Sequence, residues 1–209
     1  MAWVTGTVGL AVLIPMAKFL LALLCAAALT LIVVVGGTVR IAGLSMVQFF
    51  RKASRMMVVA FTTCSSAVTL PVQMQDAEEK LGIGTRTARF ALPLGAIINN
   101  DGLSMYLVVA SILIAQFFGV ELSVVHQLKL ALLATLISLG GTAIPGGALI
   151  NITLVLPAMG LPLEGVALVA GVDRLADMLR TILNVVDDVS CALLVAVTEG
   201  DFHRDVFMR

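Results

Sequence analysis

A group of polar and ionisable side chains lies in an apolar stretch close to the end of the chain. They recur at helical spacing within the segment 161–197, and they are Asp173, Asp177, Arg180, Thr181, Asn184 and Asp188. At about 100° per residue, all six fall within a sector of about 100° on one face of a helix. The opposite face carries leucine, isoleucine and valine side chains. Such a helix presents carboxylates, an amide, a hydroxyl and a guanidinium to one surface.

This polar face has two main interpretations. A charge at the centre of a bilayer costs at least about 2.5–3.5 kcal/mol, so ionisable groups in a spanning segment need a reason. They form either a buried structural network of salt bridges or the lining of a pathway for a solute or an ion, and we favour the pathway. An intramembrane aspartyl protease is disfavoured, because Arg180 beside the aspartates keeps them ionised. A channel stays open as an alternative.

The composition is that of a membrane protein. Of the 209 residues, 60% are hydrophobic and 12% are charged, and the mean hydropathy is +1.08. A soluble domain exposes far more charge. The 13 basic and 13 acidic residues cancel, which argues against a nucleic-acid surface. Cys25, Cys64 and Cys191 are widely spaced and indicate neither a disulfide framework nor a paired metal site.

The apolar and polar segments divide the chain into three regions. We expect an N-terminal transmembrane helix in residues 1–43, a membrane core in 44–198 and a cytoplasmic tail in 199–209. The core has four predicted parts. They are a first helical hairpin at about 44–82, a broken helix at about 86–118, a second hairpin at about 123–160 and the polar-faced helix at about 161–198.

Two clusters of small residues predict the tips of the hairpins. Residues 62–71 contain hydroxyl side chains and Pro71, and residues 140–147 contain four glycines and Pro145. Each cluster lies between apolar arms too short to span alone, which predicts re-entrant hairpins lining a cavity. Ordinary interfacial turns are the alternative. Basic residues around the first hairpin place its base in the cytoplasm, so the glycine-rich tip 140–147 is the expected external gate.

The broken helix is predicted from Asn99-Asn100-Asp101-Gly102, which interrupts the apolar span 90–118. Two amides, a carboxylate and a glycine favour a helix break whose ends can coordinate ligands. A hairpin followed by an interrupted or polar-faced span occurs twice in the chain. This paired pattern is typical of inverted-repeat transporters.

Four motifs in order resemble the dicarboxylate/amino acid:cation symporter family, which includes the glutamate transporters. They are Ser65-Ser66 with Thr69-Leu70-Pro71, Asn99-Asn100-Asp101-Gly102, Ile144-Pro145-Gly146, and the stretch from Asp173 to Asp188. The resemblance covers nearly the whole chain but only the C-terminal half of the family, without the N-terminal helices of its trimeric scaffold. It implies an all-α membrane fold with a glutamate-transporter-like transport domain.

The resemblance also implies roles for individual residues. Arg180 would clamp the side-chain carboxylate of the substrate and Asp177 would hold its ammonium group. The implied substrate-binding set is Ser65, Ser66, Ile144, Pro145, Gly146, Asp177, Arg180, Thr181 and Asn184. The implied cation ligands are Asn99, Asp101, Asn184 and Asp188, whose oxygens suit a hard monovalent cation.

The implied function is secondary active symport of acidic amino acids such as aspartate and glutamate in the cell membrane. Sodium is the expected coupling ion, with a proton as the alternative, and no catalytic residues or other cofactors are expected. The implied partners are the substrate, the lipid bilayer and, where scaffold helices are supplied, two further copies in a homotrimer. A truncated, inactive transport-domain fragment and a proton-coupled C4-dicarboxylate or amino-acid carrier are the alternative readings.

Five positions depart from the pattern of the family. Leu103 replaces a threonine and removes a hydroxyl ligand, and Gly141 stands where a threonine is frequent. Ala67-Val68 replaces serine and glycine in the first tip. Asp187 replaces a glycine beside Asp188, which should raise the proton affinity of one of the two carboxylates. These changes affect the expected cation stoichiometry more than the expected substrate chemistry.

Overall fold

The computed structural model describes residues 13–141 and 146–209, and most of these residues are helical. Within these ranges the structure contains no β-strand, apart from an isolated antiparallel bridge between Ile83 and Phe202. The all-α architecture predicted from the sequence is confirmed.

The helical elements follow one another with short connections. In chain order they are α1 Leu13–Thr30, a π-helical turn Leu31–Val35, α2 Gly36–Ile41, α3 Met46–Thr63, α4 Ser66–Glu79, α5 Thr85–Ile98, α6 Asp101–Phe117, α7 Val124–Leu139, α8 Gly147–Ala158, a 3₁₀ turn Leu163–Gly165, α9 Val166–Ala170, α10 Asp173–Thr198 and α11 Arg204–Met208. The stretch 161–198 is therefore interrupted at Gly171-Val172, immediately before the polar-faced helix begins.

Among residues 13–141 and 146–209, three helical runs are long and apolar enough to cross a bilayer, judged by length and composition. They are Leu13–Ile41, Thr85–Phe117 and Asp173–Thr198. The apolar helices α7 and α8 are shorter. At 1.5 Å per residue, a span needs about 20 residues, so neither of these two helices would cross alone.

The first hairpin consists of α3 and α4, which pack against each other. The chain reverses at two residues between them. Cys64 takes a left-handed backbone conformation with a φ of 52°, and Ser65 caps α4 by accepting a hydrogen bond from the Val68 backbone N–H at 3.3 Å. A serine at this position satisfies one of the amide groups that the first turn of a helix leaves without a partner. The re-entrant course of the hairpin stays a prediction.

The helix break predicted at the Asn-Asn pair is present between α5 and α6. Asn99 has an extended backbone, with φ −79° and ψ 110°, and Asn100 lies at φ −131° and ψ 42°. Helix α6 then begins at Asp101, which puts this carboxylate in the first turn, where the helix dipole favours negative charge.

The chain divides into two compact units, and the first contains residues 13–26, 100–141 and 146–180 of the described chain. In this unit α6, α7 and α8 pack against one another. Its apolar core includes Phe19 and Tyr106, whose rings meet edge to face with centroids 5.7 Å apart. This packing positions the start of α6, where the predicted cation ligand Asp101 lies.

The second unit contains residues 27–99 and 181–209. Here α3 packs on α4 and α4 packs on α5. The apolar core of this unit includes Phe49, Met56, Leu92, Val189 and Phe207. Phe207 comes from the segment predicted to be a polar tail, and its side chain is completely buried.

Candidate functional site

The six polar residues of α10 that the sequence analysis grouped together are all buried. Asp173, Asp177, Arg180, Thr181, Asn184 and Asp188 are each less than 9% exposed. The first three belong to the first compact unit and the last three to the second. Each group has its own surroundings within its unit.

Arg180 and Asp177 form a buried ion pair in the first unit. One nitrogen of the Arg180 guanidinium, Nη2, donates to Asp177 Oδ1 at 2.6 Å. The spacing of three residues along a helix brings the two side chains onto one face. The other carboxylate oxygen, Asp177 Oδ2, accepts a hydrogen bond from the Gly146 backbone N–H at 3.1 Å. Asp177 therefore joins the arginine to the residue that precedes α8.

The ring of Tyr106 packs against the Arg180 guanidinium. The Arg180 Cζ atom lies 4.6 Å from the centre of the tyrosine ring, which is a cation–π distance. Tyr106 is not among the site residues predicted from the sequence. Two features of the sequence could have pointed to it. Tyr106 is the one tyrosine of the chain, and it lies in an apolar run beside the predicted helix break.

One donor of the guanidinium is not used by any of the described residues. Arg180 Nε is buried and has no hydrogen-bond partner among the described residues. A buried unsatisfied donor is costly, and a guanidinium can donate two parallel hydrogen bonds to a carboxylate. The backbone of α6 comes close on this side, since a Cβ added to Gly102 would lie 2.7 Å from the Arg180 carbonyl oxygen. The arrangement is suited to receiving a carboxylate group.

A second polar cluster lies in the other unit and contains Asn99, Asn184 and Asp188. The Asn99 side-chain amide donates to Asp188 Oδ1 at 2.9 Å and to the Asn184 carbonyl oxygen at 3.4 Å. The same amide lies 3.4 Å from Asp187 Oδ2. The structure thus brings together three of the four predicted cation ligands, and it adds the carboxylate of Asp187 to them.

Gly95 permits this cluster to form against α5. A Cβ at this position would lie 2.5 Å from Asp188 Oδ1, so a larger residue would push the carboxylate away. The cluster offers carboxylate and carbonyl oxygens, which are the ligands that hard cations prefer in proteins. The donor set therefore fits a sodium ion. The remaining predicted ligand, Asp101, belongs to the first unit, and its role stays a prediction.

The structure describes the other predicted substrate-binding residues with two exceptions. Ser65 and Ser66 are buried at the tip of the first hairpin, where the Ser65 side chain caps α4. Thr181 is buried on α10. Gly146 precedes α8 with a φ of 78°, a conformation that favours glycine. Ile144 and Pro145 lie outside the described residues.

Two of the departures from the family pattern meet in the first unit. Leu103 is buried, and a Cβ added to Gly141 would lie 2.5 Å from Leu103 Cδ2. The bulkier leucine and the smaller glycine therefore compensate each other in volume. This contact replaces polar groups with an apolar one at the start of the second tip.

Comparison with known proteins identifies the family. The sequence pattern of the sodium:dicarboxylate symporter family matches residues 1–198. The chain belongs to this family. The family is one of transporters, and the described part of the chain contains three helices able to span a bilayer, so the chain is a multi-pass protein of the cell membrane.

Relatives within the symporter family come from bacteria and animals. The chain is 34% identical over 195 residues to the proton/sodium-glutamate symport protein of Bacillus subtilis (strain 168), which covers 93% of this chain and 45% of that protein. It is 46% identical over 141 residues to excitatory amino acid transporter 2 of Homo sapiens, covering 68% of this chain and 25% of the human protein. An excitatory amino acid transporter of Caenorhabditis elegans is 43% identical over 147 residues, covering 70% of this chain and 29% of the relative. The chain thus spans less than half the length of these relatives.

Proposed function

We propose that this chain is the substrate- and cation-binding part of a secondary active transporter for acidic amino acids such as aspartate and glutamate. The buried Arg180–Asp177 pair carries the proposal. A guanidinium whose Nε has no hydrogen-bond partner in the described part of the chain suits the side-chain carboxylate of the substrate, and the neighbouring carboxylate suits its ammonium group. The names of the bacterial and animal relatives, which are glutamate symport proteins and excitatory amino acid transporters, support the same substrate class.

We further propose that the Asn99–Asn184–Asp188 cluster binds the coupling cation. Sodium is the favoured ion, because the cluster supplies a carboxylate and carbonyl groups rather than nitrogen or sulfur ligands. A proton is the alternative, and the bacterial relatives are named as proton/sodium symport proteins. Substrate and cation would cross the membrane together by alternating access of the sites to the two sides.

The substrate class is tested by replacing the arginine. Arg180→Ala should weaken aspartate and glutamate binding by at least about thirtyfold, since removal of one member of a buried charge pair costs about 2–5 kcal/mol. The matched control is Arg174→Ala, which removes an exposed arginine from the first turn of the same helix. Binding is measured by the thermal stabilisation of the protein in lipid nanodiscs at increasing aspartate concentration.

A comparison of aspartate binding with succinate binding distinguishes an amino-acid transporter from a transporter of simple dicarboxylates. Succinate lacks an ammonium group and should be repelled by Asp177, so aspartate should bind much more tightly than succinate. Equal binding of the two would contradict the role of Asp177 and favour a C4-dicarboxylate carrier. Loss of binding in the arginine variant without a difference between acidic and neutral amino acids would contradict the carboxylate clamp.

A further inference from the structure

The last eleven residues of the chain, 199–209, form an ordered segment bound to the base of the first hairpin. Helix α10 ends at Thr198. Gly200, with a φ of 70°, then reverses the chain, and the Asp201 backbone N–H donates to the Ala196 carbonyl oxygen at 2.9 Å. This is the pattern of a glycine-terminated helix. The segment that follows runs back along the second compact unit instead of leaving it.

Residues 201–203 pair with the connection between α4 and α5. The Gly84 N–H donates to the Asp201 carbonyl at 2.7 Å, and the His203 N–H donates to the Gly82 carbonyl at 2.7 Å. A Cβ at Gly82 or Gly84 would collide with His203 or Asp201, so the two glycines permit this close approach. The Gly-Ile-Gly sequence of the connection is therefore a complementary surface for the C-terminal segment.

Asp201 also caps helix α5. Its Oδ2 atom accepts hydrogen bonds from the Thr87 backbone N–H at 3.0 Å and from the Thr87 hydroxyl at 2.7 Å. The carboxylate satisfies an amide group of the first helical turn and lies where the helix dipole favours negative charge. The start of α5 is thus bonded to the segment that follows α10.

Helix α11 connects the same segment to α3, the first arm of the hairpin. Phe207 is completely buried in the core of this unit. The Gln48 side chain donates to the Phe207 carbonyl at 2.7 Å, and the Lys52 ammonium donates to the Val206 carbonyl at 3.2 Å and lies 5.6 Å from the centre of the Phe207 ring. Arg204 donates to the Gly43 carbonyl, just before α3, at 3.3 Å.

The hairpin itself is tied together near its base. The buried Asp76 carboxylate of α4 pairs with Arg55 of α3 at 3.3 Å and with Lys80 at 2.7 Å. The two arms are therefore joined to each other, and α3, at 18 residues, is about 27 Å long. A small rotation of α3 about its base would therefore move the tip of the hairpin by a large distance.

We propose that residues 199–209, by packing against the base of the first hairpin, hold this base in place and so position the hairpin tip, Cys64 to Ser66. One short segment bonds to the residues before α3, to α3, to the α4–α5 connection and to α5, which together surround the base of the hairpin. Its importance for transport rests on the function proposed above, because Ser65 and Ser66 are predicted substrate-binding residues. The positioning itself does not depend on that function.

A buried cysteine at the tip provides the test. Cys64 is 2% exposed, and the exposed Cys25 and Cys191 can be replaced by serine so that it becomes the reporter. In this background Phe207→Ala should increase the rate of Cys64 alkylation by N-ethylmaleimide at least about tenfold. Truncation of a buried phenylalanine removes enough packing to raise the population of a locally open form by one order of magnitude or more. Phe207→Leu should restore most of the protection.

Two controls separate positioning from general stability. Met208→Ala changes a neighbouring side chain that is 63% exposed and should leave alkylation unchanged. A second reporter, Ser111→Cys with Cys64 replaced by serine, lies in the first unit at a site that is 0% exposed, and Phe207→Ala should leave its protection intact. An equal increase in the alkylation rate at both reporter cysteines, or no increase at Cys64, would overturn the proposal. Because alkylation requires neither substrate nor transport, this result is independent of the Arg180 experiment.

Discussion

At the scale of single residues, the positions that shape the proposed sites include glycines as well as the charged groups themselves. Gly95 has no side chain, and for that reason Asp188 can lie directly against α5. Gly102 permits the same approach between α6 and the backbone of Arg180. Packing in protein interiors leaves little spare volume, so one added methyl group at such a contact displaces its neighbour.

We predict that Gly95→Ala raises the sodium concentration needed for half-maximal thermal stabilisation at least about tenfold. The new Cβ would displace the Asp188 carboxylate, which is the one formal charge among the three clustered ligands. The measurement is the rise in unfolding temperature as sodium chloride replaces choline chloride at constant ionic strength. Gly37→Ala is the matched control, because Gly37 is also helical and a Cβ there would meet no atom within 4 Å. An unchanged sodium response in Gly95→Ala would remove this cluster from consideration as the cation site.

At the scale of elements, the contact of Asp201 with the start of α5 should depend on pH in a definite direction. Hydrogen bonds from the Thr87 hydroxyl and backbone N–H lower the pKa of Asp201 below its ordinary value of 3.8, with smaller effects from the positive charges of His203 and Arg86. A carboxyl group with a lowered pKa stabilises the fold above its ordinary pKa, and this contribution is lost as the pH falls through the pKa of the folded state.

Asp201→Ala should therefore lower the unfolding temperature by a few degrees at neutral pH and by progressively less as the pH falls below about 4. The difference between wild type and variant is measured by thermal denaturation in nanodiscs between pH 7 and pH 3. Asp205→Ala is the control, because Asp205 lies on the exposed side of α11, 3.6 Å from Arg209. A difference that stays constant down to pH 3 would mean that the carboxylate does not act as a charged cap.

At the scale of the whole molecule, the chain matches less than half of the length of its relatives. The trimeric scaffold implied by the family resemblance is a prediction from the sequence, and it is tested on the chain with and without additional N-terminal helices. We expect the 209-residue chain to be monomeric in detergent. A chimera that adds the N-terminal half of the Bacillus subtilis relative should be trimeric and should accumulate aspartate in proteoliposomes with an inward sodium gradient. Light scattering after size-exclusion chromatography gives the masses, and labelled aspartate gives the uptake. A trimer formed by the chain alone would contradict the assigned role of the scaffold.

The sequence alone determined those features that depend on neighbouring residues. Apolar runs with a period of 3.6 predicted the helices, and the Asn99-Asn100 pair predicted the break before α6, because helix formation and interruption are local properties. The polar face of α10 was also predictable, since a helix places residues three and four apart on one side. All six predicted polar residues of that face are buried.

The tertiary structure decided which distant residues complete these features. The ring of Tyr106 beneath Arg180, the close approach of Gly95 to Asp188 and the burial of Phe207 against the first hairpin each join parts of the chain that are far apart in sequence. The hydrogen bond from Gln48 to the Phe207 carbonyl spans 159 positions. No local pattern records such contacts, because they depend on how helices pack and on which side chains fill the space between them. For that reason the segment 199–209, which has the composition of a polar tail, is a packed element of the fold.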